Sequence, residues 1–126
     1  MRNRPAAGVA LRDLMSRLFV VALSSALVSG CAHPTLTGEE AHERVKLGAF
    51  LLDVRSPAEF SEGHLAGAVN VPVNELEATM ASLPADRSRE IVVYCRSGVR
   101  SARARNLLLR AGFSKVEDLG GMSNWK

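Results

Sequence analysis

Cys95 opens the segment Cys95-Arg96-Ser97-Gly98-Val99-Arg100-Ser101 directly after the apolar run Ile91-Val92-Val93-Tyr94. The run reads as a buried strand and the residues from about Ser101 as a helix, so the thiol stands at a strand-to-helix turn. In open α/β sheets ligands bind at that end of the strands. Three features of the turn favour a thiolate. A helix N-terminus offers unpaired N–H groups and the positive end of the helix dipole. Arg96 and Arg100 add cationic charge, and Gly98 lets successive N–H groups curl inward as an anion nest. A free thiol has a pKa of about 8.5, and such surroundings lower it. The turn therefore combines a nucleophile with an anion cradle.

The elements that must hold this turn are legible around it. Thr37-Gly38-Glu39-Glu40 is a capping box opening a helix closed by Gly48, with Ala41, Val45 and Leu47 on one side. Ala49–Val54 is a short apolar run suited to a strand buried on both faces. Residues 55–72 carry Pro57, Gly63, Gly67 and Pro72 and read as loop and turn. Asn74 or a neighbour caps a helix through Met80. Ala104, Leu107, Leu108 and Ala111 form an apolar stripe at helical spacing, ended by Gly112. Lys115–Leu119 suits a further strand. Alternating helices and apolar strands imply an α/β fold with a small, largely parallel sheet flanked by helices.

The chain has 126 residues and a net charge of +3, with 47% hydrophobic and 23% charged residues, which is globular composition for one domain. All of the net charge lies in the first 30 residues, where Arg2, Arg4, Arg12 and Arg17 face only Asp13. The other 96 hold twelve basic and twelve acidic groups. Neutrality and 5% aromatic residues argue against a nucleic-acid partner. Leu18–Val28 is an eleven-residue uncharged run. As a helix it would span about 16 Å, short of a ~30 Å hydrocarbon core, so it fits a secretory leader rather than a membrane span. Met15-Ser16-Arg17 before it offers a compact alternative start to Met1.

Val28-Ser29-Gly30-Cys31 resembles the bacterial lipobox. That resemblance implies a lipoprotein signal peptide over 1–30, a lipidated Cys31 (a palmitate-type anchor) and a tether over 31–36. It also implies a cell-envelope protein facing the periplasm, at the outer membrane rather than the inner because Ala32 is not aspartate. Lipidation of Cys31 would leave Cys95 as the one free thiol, with no zinc-ligand spacing and no cofactor expected.

Four stretches resemble the rhodanese family of sulfurtransferases, in the family's order over residues 37–126. They are Leu52-Asp53-Val54-Arg55 with Glu59-Phe60; Gly63-His64-Leu65-Ala66-Gly67-Ala68-Val69-Asn70-Val71-Pro72; the Cys95–Ser101 loop; and Gly112-Phe113 leading to Leu119-Gly120-Gly121 and Trp125. The resemblance implies a rhodanese-like single domain in which Cys95 takes a sulfane sulfur from thiosulfate or a similar small anion. The resulting persulfide passes it to cyanide or a thiol. Arg96, Ser97, Gly98, Val99 and Arg100 would bind the donor. Asp53 and Arg55 read as residues that pair or cap loops within the fold, with Arg55 a candidate to line the pocket. The alternative is a rhodanese-like carrier or interaction module without turnover. Some phosphatases that share the fold carry five residues between Cys and Arg; here four intervene, which suits a sulfur atom and disfavours a phosphatase or arsenate reductase. Arg96, Arg100 and Arg103 are spaced to form one basic face. Arg105 and Arg110 read as exposed helix residues, His33 and His42 as solvated, and His64 as a packing residue. The family continues past its tryptophan with a further helix, so the C-terminal helix is expected to be truncated at Lys126.

Overall fold

The computed structural model describes residues 33–126, so Cys31 and the leader read over 1–30 lie outside the described residues. Four parallel strands form one sheet in the order β2-β1-β3-β4. They are β1 (Phe50–Asp53), β2 (Val69–Asn70), β3 (Ile91–Cys95) and β4 (Val116–Gly121). The helices are α1 (Gly38–Lys46), α2 (Pro57–Glu62) and α3 (Val99–Arg110), with 3₁₀ turns at Met80–Ser82 and Met122–Trp125. Parallel neighbours need crossover connections: α2 links β1 to β2, turns ending in a 3₁₀ turn link β2 to β3, and α3 links β3 to β4, while α1 precedes β1 and covers the opposite layer from α3. The expected small parallel α/β sheet is the observed one.

The apolar runs of β1 and β3 are continuous because both faces are covered. Leu52, Val93 and Cys95 face Ala104 and Leu108 of α3, with Leu76, Phe113 and Val116 filling the same layer. Leu51, Val92 and Tyr94 face the other way, toward Ala41 of α1, Leu36 and Leu119. The side chain of each successive strand residue points to the opposite face, which divides the runs between two layers.

Local chemistry sets the helix starts. Thr37 Oγ1 accepts the Glu40 N–H while Glu40 Oε2 accepts the Thr37 N–H, as the capping box requires. Ser56 and Glu59 repeat the device at the head of α2, with Pro57 in the first helical position. Residues 55–72, expected as loop and turn, hold α2 and the two-residue β2 instead. The helix expected up to Met80 is a series of turns ending in the 3₁₀ turn, so Leu76 is buried without helical neighbours. Leu47 is 84% exposed rather than on the buried side of α1, because the helix ends at Lys46. β4 runs on to Gly121, and α3 begins two residues earlier than expected.

Leu52 has no exposed surface and lies on β1 between its neighbours β2 and β3. Leu52→Ala is expected to lower the unfolding free energy by about 2–5 kcal/mol through lost burial and the cavity left behind, measured by urea titration.

Candidate active site

The Cys95 side chain ends β3 with no exposed surface. The chain must reverse from strand to helix within three residues, and Gly98 does so at φ +98°, a left-handed conformation that side chains disfavour. This bend aims the Gly98 N–H at Cys95 Sγ, 2.9 Å away. Ser101 Oγ lies 3.5 Å from Sγ and 3.0 Å from the Gly98 carbonyl oxygen. Its single proton can serve either acceptor, so the hydroxyl can accept from a thiol or donate to a thiolate. Burial pushes the Cys95 pKa up. Donation from the Ser101 hydroxyl and from the N–H groups of Ser101, Gly98 and Ser97 outweighs it, and the thiol sits below its ordinary value.

Two glycines of β4 wall the turn. A Cβ on Gly121 would stand 2.7 Å from the Arg96 carbonyl oxygen, and one on Gly98 would stand 3.6 Å from the Gly120 Cα. The loop therefore rests on bare backbone.

The arginines divide. Arg55 is locked to buried Asp53: Nε donates to both carboxylate oxygens at 3.0 Å and Nη2 to Oδ2 at 2.6 Å. Arg55 Nη2 also donates to the Gly63 carbonyl at 2.7 Å. Its guanidinium lies over the Tyr94 ring, 5.6 Å from the centroid. Burial, then a hydrogen bond to Asp53, pushes the Tyr94 phenol up to about 12, and the Tyr94 hydroxyl oxygen accepts the Leu65 N–H. Arg100 forms a bidentate pair with Glu59, at 2.7 and 2.8 Å. Arg103 donates to Asn74 Oδ1. Arg96 is exposed and precedes the helix. The single basic face read from spacing is thus not formed. Arg96 and Arg55 border a cleft of about 480 Å³ with Glu59, Glu62, Gly63 and Met122. Arg100 lines a separate groove beside Pro72 and Asn74.

Of the loop residues singled out in the sequence, Ser97 and Gly98 serve Sγ through backbone N–H groups. The Val99 side chain is 77% exposed. Sequence reasoning missed Glu59 and Ser101 as parts of the site. Ser56-Pro57-Ala58-Glu59 carries a capping-box signature that would have fixed the carboxylate on a helix start. Nothing local reveals its pairing with Arg100, 41 residues away. His64 Nδ1 bonds the Phe60 carbonyl and its ring stacks on Phe60 at 3.7 Å, as a packing residue would. His42 is exposed, as expected, and its ring packs at a tilt of 37° against Trp125. His33 is not a free surface group: its Nε2 lies 2.8 Å from buried Asp118. Arg105 donates to the Val116 carbonyl rather than standing free.

A small parallel α/β sheet with one cysteine at the end of a central strand, cradled by the first turn of a helix, is the arrangement the comparisons address. Residues 37–126 match the rhodanese-like domain model, and the chain belongs to that family. It is 43% identical over 96 residues to thiosulfate sulfurtransferase 16, chloroplastic, of Arabidopsis thaliana, covering 68% of this chain and 80% of that one. It is 33% identical over 73 residues to thiosulfate sulfurtransferase PspE of Escherichia coli (58% and 70%). The structure of the human single-domain sulfurtransferase TSTD1 superposes with a TM-score of 0.65 at 29% identity, covering 74% of this chain and 95% of that one. The homologues of this chain thus include single-domain sulfurtransferases, and the rhodanese family implies a sulfur donor and a sulfur acceptor as substrates.

Glu59 generates a pH prediction. The hydrogen bond from Arg100, then that from the Ser56 N–H, holds its carboxyl far below the ordinary 4.5. A depressed folded-state pKa contributes stability that is complete above the unfolded value and is lost as pH falls below it. Urea midpoints of the parent chain should therefore fall with acid below pH 4.5. The fall should be shallower in Glu59→Gln, whose amide cannot titrate. Parallel slopes would show that the pair adds nothing. Gly98→Ala, which forces a side chain to φ +98°, should cost about 1 kcal/mol or more and raise the pH midpoint of Cys95 alkylation by iodoacetamide.

Proposed function

We propose that this chain is a thiosulfate sulfurtransferase of rhodanese type working through a Cys95 persulfide. The observation that carries the reading is the Gly98 N–H held 2.9 Å from a buried Sγ whose pKa is lowered by hydrogen bonds. The Cys95 thiolate attacks the outer sulfur of thiosulfate, the sulfur–sulfur bond of the donor breaks, and sulfite leaves with the electron pair. Cyanide or a thiolate then attacks the outer sulfur of the persulfide, and the Cys95 thiolate is regenerated. No general base is required, since the nucleophile is already ionised and the leaving sulfite needs no proton. The N–H groups of Ser97, Gly98 and Ser101 stabilise negative charge on either sulfur, as an oxyanion hole does. Arg96, with Arg55 deeper in the cleft, draws in the small anionic donor. Arg100, held by Glu59, anchors the first turn of α3 and contributes charge at longer range. No cofactor enters the scheme.

The complete burial of Cys95 favours a second reading, a sulfur-carrier or interaction module whose persulfide forms without efficient turnover. Intact-mass measurement after thiosulfate treatment separates these outcomes. One added sulfur is expected, absent in Cys95→Ser. Added sulfur followed by thiocyanate release on cyanide supports the enzyme; added sulfur without turnover supports the carrier. No added sulfur removes both.

The same reading puts the domain on a membrane surface. Residues 1–30 act as a lipoprotein signal peptide, Cys31 carries the lipid, and the domain faces the periplasm from the outer membrane. The support is the arginines before Leu18–Val28 and the Val28-Ser29-Gly30-Cys31 tetrapeptide. Globomycin should make an unprocessed precursor accumulate in the bacterial host. Unchanged processing would remove the anchor.

A further inference from the structure

β4 is an edge strand of the sheet, and its outer side is occupied by the residues that precede α1. The Leu36 N–H donates to the Asp118 carbonyl oxygen at 2.8 Å, and the Leu36 side chain is buried in the α1 layer. Next to this contact the β3–β4 ladder slips. Val93 pairs with Asp118, but Tyr94 pairs with Gly120 and Cys95 with Gly121, so Leu119 is the extra residue of a β-bulge. Gly120 adopts φ +78° to complete it. The bulge brings Gly121 opposite Cys95 and lays the glycine pair against Gly98 and the Arg96 carbonyl.

The Asp118 carboxylate holds that bulge. It is 1% exposed, Oδ1 accepts the Gly120 N–H at 2.7 Å, and Oδ2 bonds His33 Nε2 at 2.8 Å. A buried carboxylate with each oxygen bonded is a rigid point, and here it joins two segments: the bulge that walls the Cys95 loop, and residues 33–36. Asp118 stands outside the cleft, and the hydrogen bonds of its side chain and carbonyl go to Gly120, His33 and Leu36. Its side chain meets the wall of the Cys95 loop at Gly120, the first of the glycine pair.

We propose that Asp118 is a positioning residue for the Cys95 loop, and that residues 33–36, docked on it through His33 and Leu36, are a working part of the site rather than a passive tether. The proposal rests on Cys95 being the nucleophile, and it sets where the Gly98 N–H points. With Asp118 removed, the Gly120 N–H loses its acceptor, the bulge is free to relax, and the loop shifts on its wall.

The test is the pH midpoint of Cys95 alkylation by iodoacetamide in the full-length chain, read on the Cys95 peptide by mass spectrometry, with thermal midpoints from circular dichroism alongside. Asp118→Ala should raise the alkylation midpoint by about one pH unit, the size of one weakened hydrogen bond to a thiolate. Asp118→Asn should restore most of it, because its amide oxygen can still accept the Gly120 N–H. His33→Ala should raise it by a few tenths of a unit, roughly the loss of one support of the carboxylate. A fall in thermal midpoint with an unmoved alkylation midpoint in all three variants would overturn the proposal, leaving Asp118 a purely structural residue. Should Asp118→Ala not fold, His33→Ala decides: a raised midpoint supports the coupling and an unchanged one overturns it. Alkylation reads the thiolate without any sulfur donor. A chain that takes no sulfur from thiosulfate would therefore defeat the sulfurtransferase reading by a different signal from one that defeats this proposal.

Discussion

A sulfur anion withdrawn from water loses solvation that only fixed dipoles can replace, and in this protein the replacement is mostly backbone. The Gly98 N–H reaches Sγ because the chain turns left-handed at that residue. The turn is possible where it is because β3 ends and α3 begins within three residues. Ser101 adds a hydroxyl 3.5 Å from the sulfur, from the first turn of the same helix, able to accept from the thiol or donate to the thiolate. The remaining architecture serves that geometry. α3 is buried along Ala104 and Leu108 so that its first turn cannot drift, and β4 presents glycine backbone where a side chain would displace the loop. Burial and polarisation pull the thiol in opposite directions, and the hydrogen bonds win.

The cationic groups near the loop are arranged by what neutralises them. Arg55 is tied to Asp53 inside the fold, and Arg100 is tied to Glu59 across the start of α2. The first pair fixes the end of β1, and the second ties α2 to the first turn of α3. Among the described residues around the loop, Arg96 is exposed at the lip of the cleft and makes no ion pair, which leaves it free to follow an anion. An arginine locked in a bidentate pair gives direction and rigidity; an arginine left free gives reach.

Features set by residues close together in the chain were legible from the sequence alone. Thr37 and Glu40 announced α1, the unbroken apolar run announced β3, and the Cys95–Ser101 spacing announced the turn. α2 was missed although Ser56 and Glu59 carry the same capping signature as Thr37 and Glu40, because Pro57 and the following glycines look like breakers. Pro57 in fact sits where a helix accepts proline. The stretch from Asn74 to Met80 has helical composition but is shaped by anchoring Leu76 in the core. The arginine face failed for a different reason. Spacing fixes where a side chain leaves the backbone, whereas Glu59 and Asn74, distant in sequence, decide where Arg100 and Arg103 go. The bulge at Leu119 and the His33–Asp118 contact, 85 residues apart, have no local signal at all.

The all-parallel ladder has a consequence for the order of events in the chain's life. Leu52 pairs with Val93 across 41 positions, and Cys95 with Gly121 across 26. No strand can find its partner through a tight hairpin, so long loops must close before any strand pair is rewarded, and such sheets form slowly. The burial of Cys95 follows from these same pairings, since β3 lies between β1 and β4, and the shelter of its sulfur is complete only when residues far apart in the chain have met.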